Sequence, residues 1–163
     1  MKTPFLILCF LWILPAFAQN EPLRIGVAGL NHGHVGWVFD ADKRADIDIV
    51  GIAEPDRALA ERYVKANGLS EDLIFATVEE MLDQTKPEAV TGFGTTFAHL
   101  EIVRDCAPRG VHVMVEKPLA VSLVHAQEMA ELARKHGIHL LTNYETSWSV
   151  SYTHLRAHET VLD

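Results

Sequence analysis

LRIGVAGLNHGHVG (residues 23–36) decides how the rest of the chain is read. Leu23–Ala28 carries the apolar, β-branched and small residues of a strand covered on both faces. The run breaks at Gly29 into a short polar stretch before Val35. A strand that turns on glycine into a helix presents backbone N–H groups to an anion. Gly29 is placed for the tight turn. In a G-x-G-x-x-G pattern the second position is Asn31, which tolerates left-handed geometry better than most residues. The third is His34, too large for the closest helix–strand packing, and Gly33 and Gly36 offer a looser spacing that partly compensates. An ordinary strand-to-helix turn looks much the same, so the loop alone does not decide between a nucleotide site and a plain connection.

Outward from this loop the chain changes period repeatedly. Further strands are expected at Ile47–Ala53, Leu73–Ala76, Ala89–Phe93, Val111–Val115 and Ile138–Leu141. The helices between them carry start and stop signals. Asp56 can cap a segment ending at Asn67, with Gly68 just past it. Thr77 and Glu80 have capping-box spacing. Ser122 opens a helix with an apolar stripe of Leu123, Ala126, Met129, Ala130 and Ala133, and Gly137 closes it. Six strands alternating with five helices predict an α/β fold, a doubly wound parallel sheet of Rossmann type. Ligands of such sheets sit beyond the carboxyl ends of the strands, so the residues just after each strand are the candidates.

Glu54 follows the second strand, about 25 residues past Gly29, where a carboxylate accepts hydrogen bonds from the hydroxyls of an adenosine ribose. It also repels a 2′-phosphate, which favours NAD over NADP, and nearby Arg57 weakens that preference. A solvated acid at a helix start is the plainer reading. The fifth strand runs into Glu116, Lys117 and Pro118. A lysine at that strand end reaches a ligand cleft and can stabilise charge on a substrate oxygen. His32 and His34 invite a metal reading, but no carboxylate or cysteine lies nearby in sequence, so a loop or phosphate-facing role is expected and no metal site is assigned. His136 reads as a helix-dipole partner, His139 as a strand residue, and Cys106 as a small core residue.

The ends of the chain differ from its middle. Residues 1–18 place one cation, Lys2, before an uncharged run from Phe5 to Leu14 and an Ala-Phe-Ala cleavage site, the pattern of a Sec-type signal peptide cut after Ala18. The run is short of the roughly 20 apolar residues that span a bilayer, so export to the periplasm or outside the cell is expected, without a membrane anchor after cleavage. Only Cys106 would remain, which leaves no intramolecular disulfide. The 163 residues are 48% hydrophobic and 22% charged, with a net charge of −8. That composition excludes a disordered or collagen-like chain, and the acidic balance without a basic cluster argues against a nucleic-acid partner.

Taken together, these residues resemble the amino-terminal half of the Gfo/Idh/MocA oxidoreductases, NAD(P)-dependent enzymes acting mainly on sugars and cyclitols. The resemblance runs from Leu23 to about Trp148 and is most specific in VHVMVEKPLA (111–120). Thr95 to His99 stands where the family carries TP-x-x-x-H, with Thr95 in place of proline. TNYETSW (142–148) stands where members carry a substrate-facing segment. The resemblance implies that Gly29, Leu30, Asn31 and His32 line the pyrophosphate and that Glu54 binds the ribose. Thr95 and His99 would border the nicotinamide ribose, and Glu116 would lie beside the ring. Lys117 matches the active-site lysine, and Asn143 and Tyr144 would touch a small-molecule sugar substrate.

Family members continue into a second α/β domain that supplies an acid/base residue, and its sheet often builds homo-oligomers. Here the chain ends SVSYTHLRAHETVLD, with no periodic pattern after Val150. The string SYTHLRAHET resembles a translated sequencing adapter. The expected organisation is therefore a signal peptide (1–18), an NAD(P)-binding domain (19–149) and a tail foreign to the protein (150–163), with the second domain missing. Such a fragment would bind dinucleotide and turn over little. Outside the cytoplasm an exported enzyme of this kind would need a tightly held, internally recycled cofactor, as in coupled sugar oxidation and reduction or in a NAD-dependent glycosidase. A non-catalytic dinucleotide-binding module is the alternative from another class.

Overall fold

The computed structural model describes residues 21–39 and 45–144. The leader, the Glu145–Trp148 part of the substrate-facing segment and the proposed foreign tail lie outside the described residues. Six strands form one sheet: β1 (Leu23–Ala28), β2 (Ile47–Ala53), β3 (Ile74–Phe75), β4 (Ala89–Gly92), β5 (His112–Glu116) and β6 (Leu140–Asn143). Their order is β3-β2-β1-β4-β5-β6, and every neighbouring pair is parallel. The doubly wound sheet expected from the sequence is the fold observed, with its switch point between β1 and β4.

Five α-helices cover the sheet: α1 (Val35–Phe39), α2 (Arg57–Ala66), α3 (Val78–Thr85), α4 (His99–Cys106) and α5 (Leu123–His136). Their ends are set by the residues that the sequence singles out. Asp56 accepts from Leu59 N at 3.0 Å, Thr77 from Glu80 N at 3.1 Å, and Ser122 from His125 N at 3.2 Å. Each cap satisfies an orphan donor of a first turn. Gly137 takes the left-handed conformation that ends α5, with φ +68°, a conformation that glycine adopts without a Cβ penalty. Ile138 N then donates to Ala133 O. That bond ties Ile138 to the helix end, so β6 begins at Leu140, two residues later than the apolar run suggests.

The strands distribute their side chains between two cores, as alternation requires. On one face Met81, Leu82, Leu100, Ile102, Val103 and Met129 pack against Ala28, Val90, Val113 and Val115. On the other, Val35, Phe39, Ala60 and Val64 pack against Val27, Ile52 and Phe93. Beside α1 an open hollow of about 980 Å³ borders Ile25, Trp37, Thr91, Met114 and Leu141. The stripe of α5 is corrected: Met129 and Ala133 are buried, Ala126 and Leu132 half-buried, and Leu123 and Ala130 exposed. The positions 126, 129, 132 and 133 form one helical face, and Leu123 lies outside it. Cys106 is fully buried, and that burial pushes its thiol up to about 12, consistent with an inert core residue. Among the described residues no helix is long and apolar enough to cross a membrane.

The glycines of the sheet and of the loop differ in kind. A Cβ at Gly51 would meet Met81 Cγ at 2.7 Å and Phe75 Cε2 at 3.0 Å. Neither Gly33 nor Gly36 has a heavy atom within 4 Å of such a Cβ. They therefore do not provide close helix–strand packing, which corrects the expectation that they stand in for a missing third glycine. Gly51→Ala is expected to lower unfolding free energy by about 1–3 kcal/mol through overpacking. Gly33→Ala should change it by less than about 0.5 kcal/mol. Denaturant titration of the two variants beside the parent checks both, and equal losses would contradict this packing.

Candidate nucleotide-binding site

Directly past β1, the chain is bound to its neighbours on both sides. Gly29 N donates to Ala53 O at 2.8 Å, His32 N to Phe93 O at 3.0 Å, and Phe93 N returns to Ala28 O at 2.8 Å. Gly29 has φ +79°, and a Cβ there would stand 2.6 Å from both N and Cα of Gly94. Both the conformation and the close approach require glycine. Beyond this crossing lies an open cleft of about 680 Å³ lined by Gly29, Asn31, Glu54, Gly94 and Thr95 among others. It sits at the carboxyl ends of β1, β2 and β4, where an open α/β sheet takes its ligands.

Glu54 is buried, with 4% of its surface exposed. Its Oε2 accepts from Leu30 N at 2.9 Å and its Oε1 from Asp56 N at 3.0 Å. The carboxylate thus braces the glycine loop, a role that its sequence position does not reveal. Each oxygen keeps a second lone pair. Leu30 turns inward: its side chain is 2% exposed and its N–H is taken by Glu54. The N–H groups of Asn31 and Gly33 make no hydrogen bond among the described residues. These two donors, with Glu54 beyond them, fit the phosphates and ribose of a dinucleotide. Arg57, by contrast, pairs with Glu61 at 2.8 Å and Glu71 at 3.8 Å.

At the end of β5, Glu116 is 1% exposed. Its Oε1 accepts from His34 Nδ1 at 2.9 Å and from Asn143 Nδ2 at 2.6 Å, while Oε2 takes Lys117 N at 3.3 Å. His32 Nδ1 lies 4.0 Å from the same Oε1. Burial pushes this carboxyl up, but the hydrogen bonds from Asn143 and His34 and the nearby imidazoles outweigh it and hold the group below its ordinary value. The histidines are held in turn: His34 stacks on Trp37, with centroids 4.3 Å apart, and meets His32 edge-on at 4.4 Å. The sequence reading saw no carboxylate near the two histidines. The fold supplies one from 82 residues away. Strand order was the signal that could have found it, since β5 lies only two strands, roughly 10 Å, from β1.

Lys117 is exposed, and the Lys117–Pro118 peptide bond is cis. Tyr144 is exposed at the end of the described chain, and Asn143 faces Glu116. Thr95 lines the nucleotide cleft, whereas His99 is buried at 1% exposure and is not among its walls. His99 Nδ1 donates to Leu119 O at 3.1 Å, and its Nε2 is buried with no partner among the described residues. Burial holds this imidazole below its ordinary value against the raising effect of the Leu119 and Pro118 carbonyls. A neutral His99 therefore pins the loop after Lys117 to the start of α4.

Residues 23–144 match the family described as an oxidoreductase family with an NAD-binding Rossmann fold, Gfo/Idh/MocA. Among relatives, 1,5-anhydro-D-fructose reductase of Ensifer adhaerens is 28% identical over 133 residues, which are 82% of this chain and 39% of that protein. Myo-inositol dehydrogenase Hyg17 of Streptomyces leeuwenhoekii is 33% identical over 107 residues, 64% of this chain and 31% of that one. The chain thus spans about a third to two fifths of the curated relatives it matches. Of solved structures, myo-inositol 2-dehydrogenase from Lactobacillus plantarum superposes with a TM-score of 0.75 at 21% identity, over 86% of this chain and 42% of that one. The WlbA dehydrogenase from Bordetella pertussis, in complex with NADH and UDP-GlcNAcA, gives 0.76 at 19%, over 86% and 42%. At such identities these structures speak for the fold. The family match over most of the chain goes further: the chain belongs to the Gfo/Idh/MocA oxidoreductases and carries their NAD-binding Rossmann domain.

Proposed function

We propose that this domain serves an exported oxidoreductase acting on a sugar or related polyol, with NAD preferred over NADP. The observation that carries the reading is one cleft holding two open backbone donors, on Asn31 and Gly33, and a buried carboxylate, Glu54. The donors suit a pyrophosphate, and the spare lone pairs of Glu54 suit ribose hydroxyls. A 2′-phosphate would meet an anion braced in place by two N–H groups, while Arg57 is engaged by Glu61 and Glu71. When bound, NAD supplies the two-electron acceptor for oxidation of an alcohol.

The chain's own contribution to chemistry is at the end of β5. Lys117 extends from a backbone held by buried Glu116 on one side and by the Leu119–His99 bond on the other. Its ammonium can donate to a substrate hydroxyl and stabilise charge developing on that oxygen. Tyr144, at the neighbouring end of β6, is exposed on the same edge of the sheet and can touch substrate. The relatives whose names give a substrate, an anhydrofructose and myo-inositol, support a polyhydroxylated ring. The leader pattern of residues 1–18 supports export. The chain spans 39% of the anhydrofructose reductase it matches, and tested alone it is expected to bind nucleotide without appreciable turnover.

Calorimetric titration of the full chain should show NADH binding tighter than NADPH. Glu54→Gln keeps an acceptor for Leu30 N–H but removes the charge. It should weaken NADH by about 3–30-fold and narrow the gap to NADPH. Equal affinity of the unaltered chain for the two nucleotides would overturn the Glu54 assignment. Incubation with NAD and myo-inositol should give no rise in nicotinamide absorbance above background. Turnover by this chain alone would refute the inactivity. Lys117→Ala should leave the NADH affinity within about twofold, because its role is toward substrate.

A further inference from the structure

The His32–His34–Glu116 cluster stands outside the cleft lined by Gly29, Asn31, Glu54 and Thr95, and it joins two imidazoles to a buried carboxylate. One ligand-grade atom from each residue lies within 4.8 Å of the others. Around a tetrahedral zinc ion with bonds of about 2.0–2.1 Å, neighbouring donor atoms stand roughly 3.3 Å apart. The two measured edges, 2.9 Å from His34 Nδ1 to Glu116 Oε1 and 4.0 Å from His32 Nδ1 to the same oxygen, bracket that value. The third pair, His32 and His34, lies within 4.8 Å, so an ion would draw the two imidazoles inward. We infer that His32, His34 and Glu116 form a binding site for a divalent transition-metal ion of the zinc class.

The surroundings are those of a prepared ligand set. Alternate residues of one loop segment, His32 and His34, turn their rings to the same carboxylate. Glu116 approaches from a buried strand end, and Asn143 Nδ2 and Lys117 N fix its orientation. Stacking on Trp37 fixes the His34 ring. Outer contacts of this sort orient metal ligands and sustain affinity. The hydrogen bond from His34 N to His32 Nδ1, at 3.3 Å, is long, and it is the contact an ion on that nitrogen would displace. Side-chain exposures of 32% for His32 and 23% for His34 leave a path for entry. Two histidines and one carboxylate leave at least one coordination position open, as in catalytic rather than structural metal sites.

The test uses tag-free, EDTA-treated full chain without nucleotide, which keeps its outcome separate from the NAD reading. Zn²⁺ is titrated in competition with a chromogenic chelator, and Co²⁺ is titrated while its visible absorption is followed. One equivalent of each is expected to bind, with Co²⁺ bands of low-coordinate intensity and a Zn²⁺-dependent rise in Tm. His32→Gln and His34→Gln should each weaken Zn²⁺ by more than about 100-fold. His32, the less buried of the two imidazoles, gives the variant most secure in folding. His112→Gln should change nothing, although His112 and His139 also lie close, at 4.7 Å between rings. Absence of stoichiometric binding would overturn the proposal. So would Zn²⁺ affinity that survives His32→Gln and His34→Gln combined, or that falls with His112→Gln instead.

Discussion

At the switch point of the sheet the backbones after β1 and β4 come so close that no side chain fits between them. A methyl group on Gly29 would stand 2.6 Å from the N and Cα of Gly94. Three backbone hydrogen bonds, Gly29 N to Ala53 O, His32 N to Phe93 O and Phe93 N to Ala28 O, stitch the crossing together. The Glu54 cleft depends on this point. It opens the cleft between the two strand ends, and it sends the loop toward α1 with its remaining N–H groups outward. A buried backbone group without a partner is costly, so a crossing this well bonded has one solution, and glycine at residue 29 is its condition.

The loop that leaves the crossing is held at each end by a carboxylate buried in the sheet edge. Glu54, after β2, takes Leu30 N; Glu116, the last residue of β5, takes the His34 ring. Burying a carboxylate is a poor way to stabilise a fold, because desolvation offsets much of what its partners return. Both are nevertheless more than nine-tenths buried and hydrogen-bonded through both oxygens. Their presence is accounted for by what they organise. One fixes the segment that faces the nucleotide cleft, and the other fixes two imidazoles beside the lysine end of β5.

The alternation of strands and helices, the helix caps at Asp56, Thr77 and Ser122, and the turn at Gly137 were readable because each rests on local chemistry or on period. Gly29 was readable as the turn for the same reason, since a strand followed by its turn residue is a local pattern. What the sequence hid is contact across strands. Nothing local to Glu116 says that its carboxylate meets His34, nothing local to Glu54 says that it braces Leu30, and nothing local to His99 says that it holds the Leu119 carbonyl. The same limit misplaced the stripe of α5, where Leu123 has the right spacing but lies outside the buried face. Gly33 and Gly36 misled differently: their spacing resembles a packing motif, yet the space around them is empty.

Lys117 shows why the hidden contacts matter. An exposed lysine on an unanchored loop samples many rotamers, and its long stem loses considerable entropy when it must meet a substrate oxygen. Here the backbone on its amino side is tied by its own N–H to Glu116, and two residues further on Leu119 is tied to His99. His99 is buried and held neutral, so this anchor does not titrate away near neutrality. Glu116 is in turn positioned by Asn143 from β6 and by His34 from the β1 loop. The lysine end of β5 and the nucleotide loop of β1 therefore share one buried carboxylate.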